Sequence, residues 1–515
     1  MVWSRSRAEE RIKGFQKSVP QTAVSVETFE ARYARDTLKR AELGQSKRRY
    51  NPLVSIPPSQ AVLVDGVHVY VQLTDYHAVM TDQKRERSER YMRALKFLHT
   101  HYSATDQIVI EYQAQRVDYH GPRLHAVIAT PTGKSNELER IKTAIDFAMA
   151  MKRMIEVTGD KVLGGEFKTA VRIGIDSGMA VAVNSGRGSE QEPLFLGNPA
   201  NYAAKLADGE ETGIYLSERV RMVLGMARIA DLATQKRSPF TQDQIAMNFV
   251  ARSVTDQRIE VLAEDVKTTV EPQVRAAEFS FHRHQPPLSS IDYGDLRPSN
   301  TIYMEMLSIF ADIDNFTKYV QHCIDTGDVK QLVANLHVIR KELAAVLKSD
   351  FGGKKVRFIG DCLHGLVAEG SVRETDAAGT IETAVLCAGA MRSSFELCQE
   401  MLPGIKDLGL AIGLEYGSTP VTRLGTRGDL SVRCATSRAV SESERLQSEL
   451  DGDETALGSR ALSKASLRVK KLFDQNGRQS GLDYRGASVL LMSAPAVATA
   501  AQQEDRPEFR GHARR

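Results

Sequence analysis

The sequence is poor in the residues that mark disulfide frameworks and nucleic-acid surfaces. Its 515 residues include one tryptophan and five cysteines, and all five cysteines lie in the second half without metal-ligand spacing. An odd number of such thiols excludes a simple disulfide framework and favours reduced cysteines, so we expect a cytoplasmic protein. The formal net charge is only +3, so nothing in the overall charge points to nucleic acid as a partner.

Long apolar runs are also missing. The longest, Ser488–Ala501, is interrupted by Ser493 and Pro495, and it is shorter than the roughly 20 residues that a membrane helix needs. The N-terminal residues are rich in Arg, Lys and Glu and contain no signal-peptide core. We therefore expect no membrane segment, and we expect residues 1–55 to form a charged N-terminal arm, either a solvated helix or a partly ordered tail.

The sequence does contain a weak internal repeat with a period of about 240 residues. Strand-like and helix-like segments follow one another in the same order in both halves, as in an α+β sandwich with helices on one face of a mainly antiparallel sheet. We predict a first domain at 56–265, a linker at 266–300, a second domain at 301–495 and a tail at 496–515. Two such domains should pair about a pseudo-two-fold axis and leave two clefts. Four landmarks recur at offsets of 239 or 240 residues: Gln72 and Asp312, Pro122 and Asp361, Asn201 and Ser441, Lys205 and Arg445.

Two carboxylates in the second half follow predicted strands. Asp312 ends a strand in FADIDNFT, and Asp361 follows another strand in VRFIGDCLHG. Carboxylate oxygens suit Mg²⁺ or Mn²⁺, and backbone N–H groups at a helix start suit phosphate. We therefore favour a metal site at the two aspartates beside a phosphate-binding turn, over the alternative that they are a helix cap and a turn residue. The turn comprises Asp314, Asn315, Phe316 and Thr317.

Together these segments resemble the class III adenylate/guanylate cyclase family. FADIDNFT and RFIGDCLHGLV are similar to its two metal motifs, and RIGIDSG with LFLGNPANYAAKL is similar to a later strand and helix. The resemblance implies two tandem ferredoxin-like domains in a head-to-tail pseudo-dimer, with each active site built from both. It also implies two divalent metal ions, Mn²⁺ or Mg²⁺, at Asp312, Ile313 and Asp361.

By this resemblance the two halves have diverged in complementary ways. The first domain lacks metal aspartates but keeps the family's transition-state Asn as Asn201, with Lys205 in place of its Arg. The metal-bearing domain has Ser441 at the Asn position. One composite site is therefore expected, with metals from the second domain and Asn201 and Lys205 from the first. A phosphate-contacting Arg of the family is Ala411 here, and Arg423 or Arg427 are candidate substitutes.

The positions that read the base in purine cyclases hold Asp118 and Leu194, so neither purine pair is present. A carboxylate can accept from uracil N3–H or cytosine N4–H₂, and Leu194 would narrow the pocket. The segment Val432–Gln447 also resembles bacterial pyrimidine cyclases of the Pycsar anti-phage systems. The resemblance implies that UTP, or alternatively CTP, is cyclised to a second messenger for a cyclic-nucleotide-binding effector. Tyr50 is a candidate pocket wall or a packed aromatic, and Asp118 could instead be an exposed hairpin acid.

Rival interpretations are a purine cyclase with a rewired pocket and a non-catalytic nucleotide-binding pseudoenzyme. The degenerate first domain and Ala411 favour the pseudoenzyme, whereas the two metal-type aspartates and Asn201 favour catalysis. The domains could pair within one chain or across a homodimer.

Overall fold

The computed structural model describes residues 3–42, 53, 56–81, 87–185, 192–248, 252–275, 279–425 and 431–491. These residues form a mixed α+β structure with two sheets, one in each half of the chain. No helix in these ranges is long and apolar enough to cross a membrane.

The first sheet has the strand order β3-β4-β2-β5-β6, with β1 beside β2 and β7 beside β5. Its strands are β1 (Ser25–Thr28), β2 (Gln60–Leu73), β3 (Gln115–His120), β4 (Arg123–Ile128), β5 (Val171–Ser185), β6 (Glu192–Leu196) and β7 (Gly213–Leu216). The helices of this half are α1 (Arg5–Ser18), α2 (Phe29–Glu42), α3 (Tyr76–Thr81), α4 (Arg87–Glu111), α5 (Glu137–Lys161), α6 (Asn198–Ala207), α7 (Glu218–Val223), α8 (Leu232–Gln235), α9 (Gln242–Met247) and α10 (Asp256–Arg275).

The second sheet repeats this plan in the order β10-β11-β9-β12-β14-β15, with β13 beside β12 and β8 beside β9. Its strands are β8 (Phe281–His282), β9 (Thr301–Asp314), β10 (Lys354–Ile359), β11 (Cys362–Val367), β12 (Gly409–Leu424), β13 (Val432–Ala435), β14 (Glu454–Leu457) and β15 (Arg478–Ser480). The helices are α11 (Phe316–Thr326), α12 (Val329–Ala345), α13 (Ala377–Met401), α14 (Arg438–Ser448), α15 (Ser459–Lys464), α16 (Leu467–Lys470) and α17 (Tyr484–Leu491), and a π-turn at Val346–Asp350 extends α12.

The central strands of both sheets alternate between two faces, as the period of two along a strand requires. In β2, Val67, Val69 and Val71 are buried in one apolar core with residues of α4 and α5. The intervening residues of β2 face the other way. The predicted α+β repeat is therefore present, and its strands β2 and β9 correspond.

The helix α1, at the start of the predicted N-terminal arm, packs against the second half, which the charge of this segment did not predict. Ala8 and Ile12 on α1 are fully buried in a core with residues of α12 and α13. Arg11 donates to Glu342 at 2.9 and 2.6 Å and to Asp350 at 3.2 Å. Buried acids of the second half thus form ion pairs with a basic residue of α1. After α1, the strand β1 pairs in parallel with β2.

The segment predicted as a linker also differs from expectation. Residue 265, the predicted end of the first domain, falls inside α10, whose apolar face packs on α4 and α5. Further along, Leu288 and Tyr293 are buried against the second sheet, and β8 pairs with β9. Apolar residues spaced too irregularly to predict an element nevertheless pack here.

Candidate active site

A tight turn joins β9 to α11. β9 ends at Asp314, Asn315 adopts a left-handed conformation with φ 61°, and α11 begins at Phe316. Asn tolerates this conformation better than most residues. Asp314 is exposed, and its carboxylate accepts from the backbone N–H of Asn315 at 2.8 Å and from its side chain at 3.0 Å. Asp314 therefore shapes the turn, and the first N–H groups of α11 lack partners within the helix, which is the arrangement that binds anions.

Asp361 lies in the turn between β10 and β11, after Gly360 with φ 64°. The ladder between β11 and β9 pairs Leu363 with Ala311, so this turn lies beside the end of β9, where Asp312 is. Burial raises the pKa of Asp312 to about 7. Burial and then the charge of Asp312 raise the pKa of Asp361 well above its ordinary range. The two carboxylates therefore converge and repel each other.

The carboxylates of Asp312 and Asp361, with the backbone between them and the turn, form a set of oxygen donors that fits divalent metal ions. Among the described residues, no group of three or more His, Cys, Asp or Glu side chains could hold a metal ion. The site offers two carboxylates and the backbone of Ile313, which directly follows Asp312. Mg²⁺ commonly uses one or two carboxylates together with substrate phosphates, and a cation would remove the repulsion between Asp312 and Asp361.

The first half contributes α6 to this site. The side-chain amide of Asn201 donates to the hydroxyl of Thr317 on α11 at 2.8 Å. Asn201 thus lies across from the turn that follows Asp312, although 116 positions separate Asn201 from Thr317 in sequence. Lys205 is exposed one helical turn later on the same face of α6. α6 approaches β5 closely at Gly174, where an added Cβ would overlap the carbonyl oxygen of Ala203.

The predicted base-reading residues have different surroundings. Asp118 on β3 accepts from Arg357 of the second half at 2.7 Å and from the backbone N–H of Tyr119 at 2.8 Å. It is therefore part of the interface between the halves, not a free hairpin acid. Leu194 is 6% exposed, in an apolar cluster that includes residues of α12. Tyr50 lies outside the described residues.

In the opposite cleft, side chains of the two halves pair with one another. Gln72, the counterpart of Asp312, accepts from Arg123 at 2.7 Å. Arg123 and His120 donate to Glu444 on α14 at 3.0 and 3.1 Å. Tyr76 at the start of α3 also hydrogen-bonds Thr436 of the second half. At the positions that match Asp312 and Asp361, the first half has Gln72 and Pro122, neither of which carries a carboxylate.

Arginines that could contact phosphate are engaged elsewhere. Arg172 is buried and donates to the carbonyls of Leu206, Glu211 and Lys236 at 2.7 to 2.8 Å. Arg423 donates to the carbonyl of Ser431 at 3.2 Å. Arg427 lies outside the described residues.

A buried charge cluster near the site was not predicted from sequence. Glu192 on β6 accepts from Lys355 and Arg433 at 2.7 Å and pairs with Arg340 at 3.4 Å. Burial alone would raise the pKa of Glu192, but these three cations outweigh it and lower the pKa to about 2. The charge of Arg340 also acts on Asp361. All three cations come from the second half, so no local sequence signal could have linked them to Glu192.

Residues 70–243 match the family model described as the adenylate and guanylate cyclase catalytic domain. The chain is 48% identical over 508 residues to a uridylate cyclase of a Rhizobium species, covering 96% of this chain and 97% of that protein. It is 41% identical over 452 residues to a uridylate cyclase of Pseudomonas aeruginosa, covering 85% of each.

One solved structure extends this similarity to the whole fold. It is the crystal structure of a class III adenylyl cyclase-like ATP-binding protein from Pseudomonas aeruginosa. The TM-score is 0.84 and the identity 37%, over 95% of this chain and all of that one. Both halves and their arrangement are therefore shared.

Proposed function

This chain belongs to the adenylate and guanylate cyclase family, and we propose that it is a pyrimidine nucleotide cyclase that converts UTP to 3′,5′-cyclic UMP and pyrophosphate. The observation that carries the proposal is the hydrogen bond between Asn201 and Thr317. It joins the transition-state helix of one half to the phosphate turn of the half that bears Asp312 and Asp361. The names of the two relatives support uracil as the base.

Asp312, Ile313 and Asp361 would hold two divalent ions, Mn²⁺ or Mg²⁺. When bound, such ions lower the pKa of the ribose 3′-hydroxyl and neutralise triphosphate charge. The converging carboxylates support this assignment, since their mutual repulsion is what a cation relieves.

The remaining residues orient the substrate. Backbone N–H groups at Phe316 and Thr317 bind triphosphate oxygens at the start of α11. Asn201 holds the ribose so that its 3′-oxygen lies in line with the α-phosphorus. Lys205 stabilises the negative charge that develops on the α-phosphate.

The reaction is a single displacement. The 3′-oxygen forms a bond to the α-phosphorus, the bond from that phosphorus to the bridging oxygen of pyrophosphate breaks, and the 3′-hydroxyl proton passes to solvent. No covalent intermediate with the protein is required. In this proposal Asp118, which also pairs with Arg357, would accept from N3–H of uracil, and Leu194 would restrict the pocket to a small base.

The experiment is incubation of the protein with UTP, CTP, ATP and GTP separately, with Mn²⁺, followed by mass spectrometry of cyclic nucleotides. Cyclic UMP should dominate, and EDTA should abolish it until Mn²⁺ is restored in excess. A dominant cyclic CMP or cyclic purine product would contradict the base assignment.

A non-catalytic nucleotide-binding role is the second candidate, favoured by the ATP-binding name of the similar crystal structure and by Lys205 in place of Arg. It predicts that ATP binds while no nucleotide releases pyrophosphate, and the same incubations decide between the two.

The resemblance to anti-phage cyclases leads to a cellular proposal. The product would act as a second messenger on a cyclic-nucleotide-binding effector in the cytoplasm. Cells carrying the protein and its effector should resist phage, and cells carrying Asp361→Ala should not. Equal resistance would contradict a signalling role for the product.

A further inference from the structure

Three side chains form a row across neighbouring strands of the first sheet. The register pairs Tyr70 of β2 with His125 of β4, and His125 with Asp118 of β3. Cross-strand neighbours share a face of the sheet. Because Val69 and Val71 point into the helix-covered core, the row lies on the opposite face, where Asp118 meets Arg357 of the second half. The Tyr70 ring stacks on His125 with centroids 4.2 Å apart and planes at 16°.

The second sheet has the same row with different chemistry. Phe310 of β9 pairs with His364 of β11, and His364 pairs with Arg357 of β10. The Phe310 ring stacks on His364 with centroids 4.4 Å apart and planes at 19°. Phe310 is 1% exposed and packs against Cys362 and Val440. The backbone plan and the stacked ring pair are therefore repeated, while the hydroxyl and the carboxylate occur in the first row alone.

The chemical difference between the two rows parallels the difference between the candidate active site and the opposite cleft. The row with the hydroxyl includes Asp118, which the proposed function places against the base, whereas the row without it includes Arg357. Burial raises the pKa of the Tyr70 hydroxyl; the charge of Arg123 opposes this rise and that of Asp118 adds to it. The hydroxyl is therefore protonated at neutral pH and lies within electrostatic range of Asp118.

The ring of Tyr70 is held in place while its hydroxyl remains available. The imidazole beneath it, His125, hydrogen-bonds His68 at 3.0 Å, so the stack rests on a fixed partner. Tyr70 itself is only partly buried, and its hydroxyl makes no hydrogen bond to any residue in the described ranges. A fixed donor with free capacity thus shares a sheet face with a carboxylate acceptor, with His125 between the two.

We propose that Tyr70 is a base-recognition residue whose hydroxyl donates to a carbonyl oxygen of uracil while Asp118 accepts from N3–H. Uracil presents an acceptor, a donor and an acceptor in the order O2, N3–H, O4, so a donor beside an acceptor matches either half of this edge. This inference rests on the proposed function and adds a residue to it.

The first test is Tyr70→Phe, which keeps the ring and its stack on His125. KM for UTP should rise roughly tenfold, the equivalent of one lost hydrogen bond, while kcat stays within about twofold because binding energy is lost equally from the bound substrate and the transition state. The control is Tyr416→Phe, whose hydroxyl contacts Glu305 of the second half and whose loss should leave KM unchanged. An unchanged KM in Tyr70→Phe would overturn the inference.

The second test uses 2-thio-UTP and 4-thio-UTP, because sulfur accepts hydrogen bonds weakly. In the parent protein, one of the two analogues should have a kcat/KM several-fold below that of UTP. In Tyr70→Phe, the same analogue and UTP should have about the same kcat/KM. Equal losses in parent and variant for both analogues would overturn the inference while leaving the cyclase intact. If the parent forms no cyclic UMP at all, the proposed function fails and the inference fails with it.

Discussion

At the scale of single residues, the candidate site departs from its family most clearly at Lys205. An ammonium can neutralise charge on a phosphate, but it lacks the planar two-pronged donor geometry of a guanidinium. Lys205 is exposed on α6, one turn from Asn201, so its side chain has room to be replaced without disturbing the fold.

We therefore predict that Lys205→Ala lowers kcat for cyclic UMP formation by roughly a hundredfold while KM changes little, since its charge acts on the transition state. Lys205→Arg should retain most of the activity. Steady-state rates over a range of UTP concentrations measure both values. A Lys205→Ala variant with the parent kcat would remove Lys205 from the mechanism.

At the scale of elements, β6 joins the two halves through Glu192 and its three cations. Breaking a buried ion pair on one side commonly costs about 3 to 5 kcal/mol, because the remaining charges stay buried. Glu192→Gln should therefore lower the free energy of unfolding by about 3 kcal/mol at pH 7. The control is the exposed pair of Glu9 and Arg5. Glu9→Gln should change the free energy of unfolding little.

The contribution of Glu192 should also depend on pH. Its pKa falls from 4.5 in the unfolded chain to about 2 in the folded protein, so the unfolded state binds the proton more tightly. The stabilisation is therefore complete above about pH 4.5 and is lost as the pH falls towards 2. Urea unfolding of the parent and Glu192→Gln at pH 7 and pH 3 should show a smaller difference at pH 3. An equal difference at both would contradict the assignment.

Element order was predictable because strand and helix patterns recur between the halves. The limits of the elements were less predictable. The apolar run at Ile108 and Val109 is typical of a hairpin strand. Instead α4 continues to Glu111, because both residues are buried in the same core as α5. The docking of α1 and the partners of Glu192 depend on contacts between residues hundreds of positions apart. Likewise, the resemblance to the cyclase motifs predicted Asp312, Asp361 and Asn201 as site residues, whereas the row of Tyr70, His125 and Asp118 required the strand register.

At the scale of the whole molecule, the two halves pair within one chain, and α1 and β1 connect them. The halves of one chain should therefore not exchange readily with those of another. We predict that mixing Asp312→Ala with Asn201→Ala restores no cyclic UMP formation. Recovery of up to a quarter of the parent rate would show that the functional site forms between chains instead.

In the proposed enzyme, the two halves contribute unlike residues to one active site. Rates of cyclic UMP formation from UTP and Mn²⁺ in two matched pairs test it most directly: Asp312→Ala against its counterpart Gln72→Ala, and Asn201→Ala against its counterpart Ser441→Ala. We expect losses of about a hundredfold or more for Asp312→Ala and Asn201→Ala, with near-parent rates for Gln72→Ala and Ser441→Ala. Parent-like activity in Asn201→Ala, or equal losses within each pair, would contradict this arrangement.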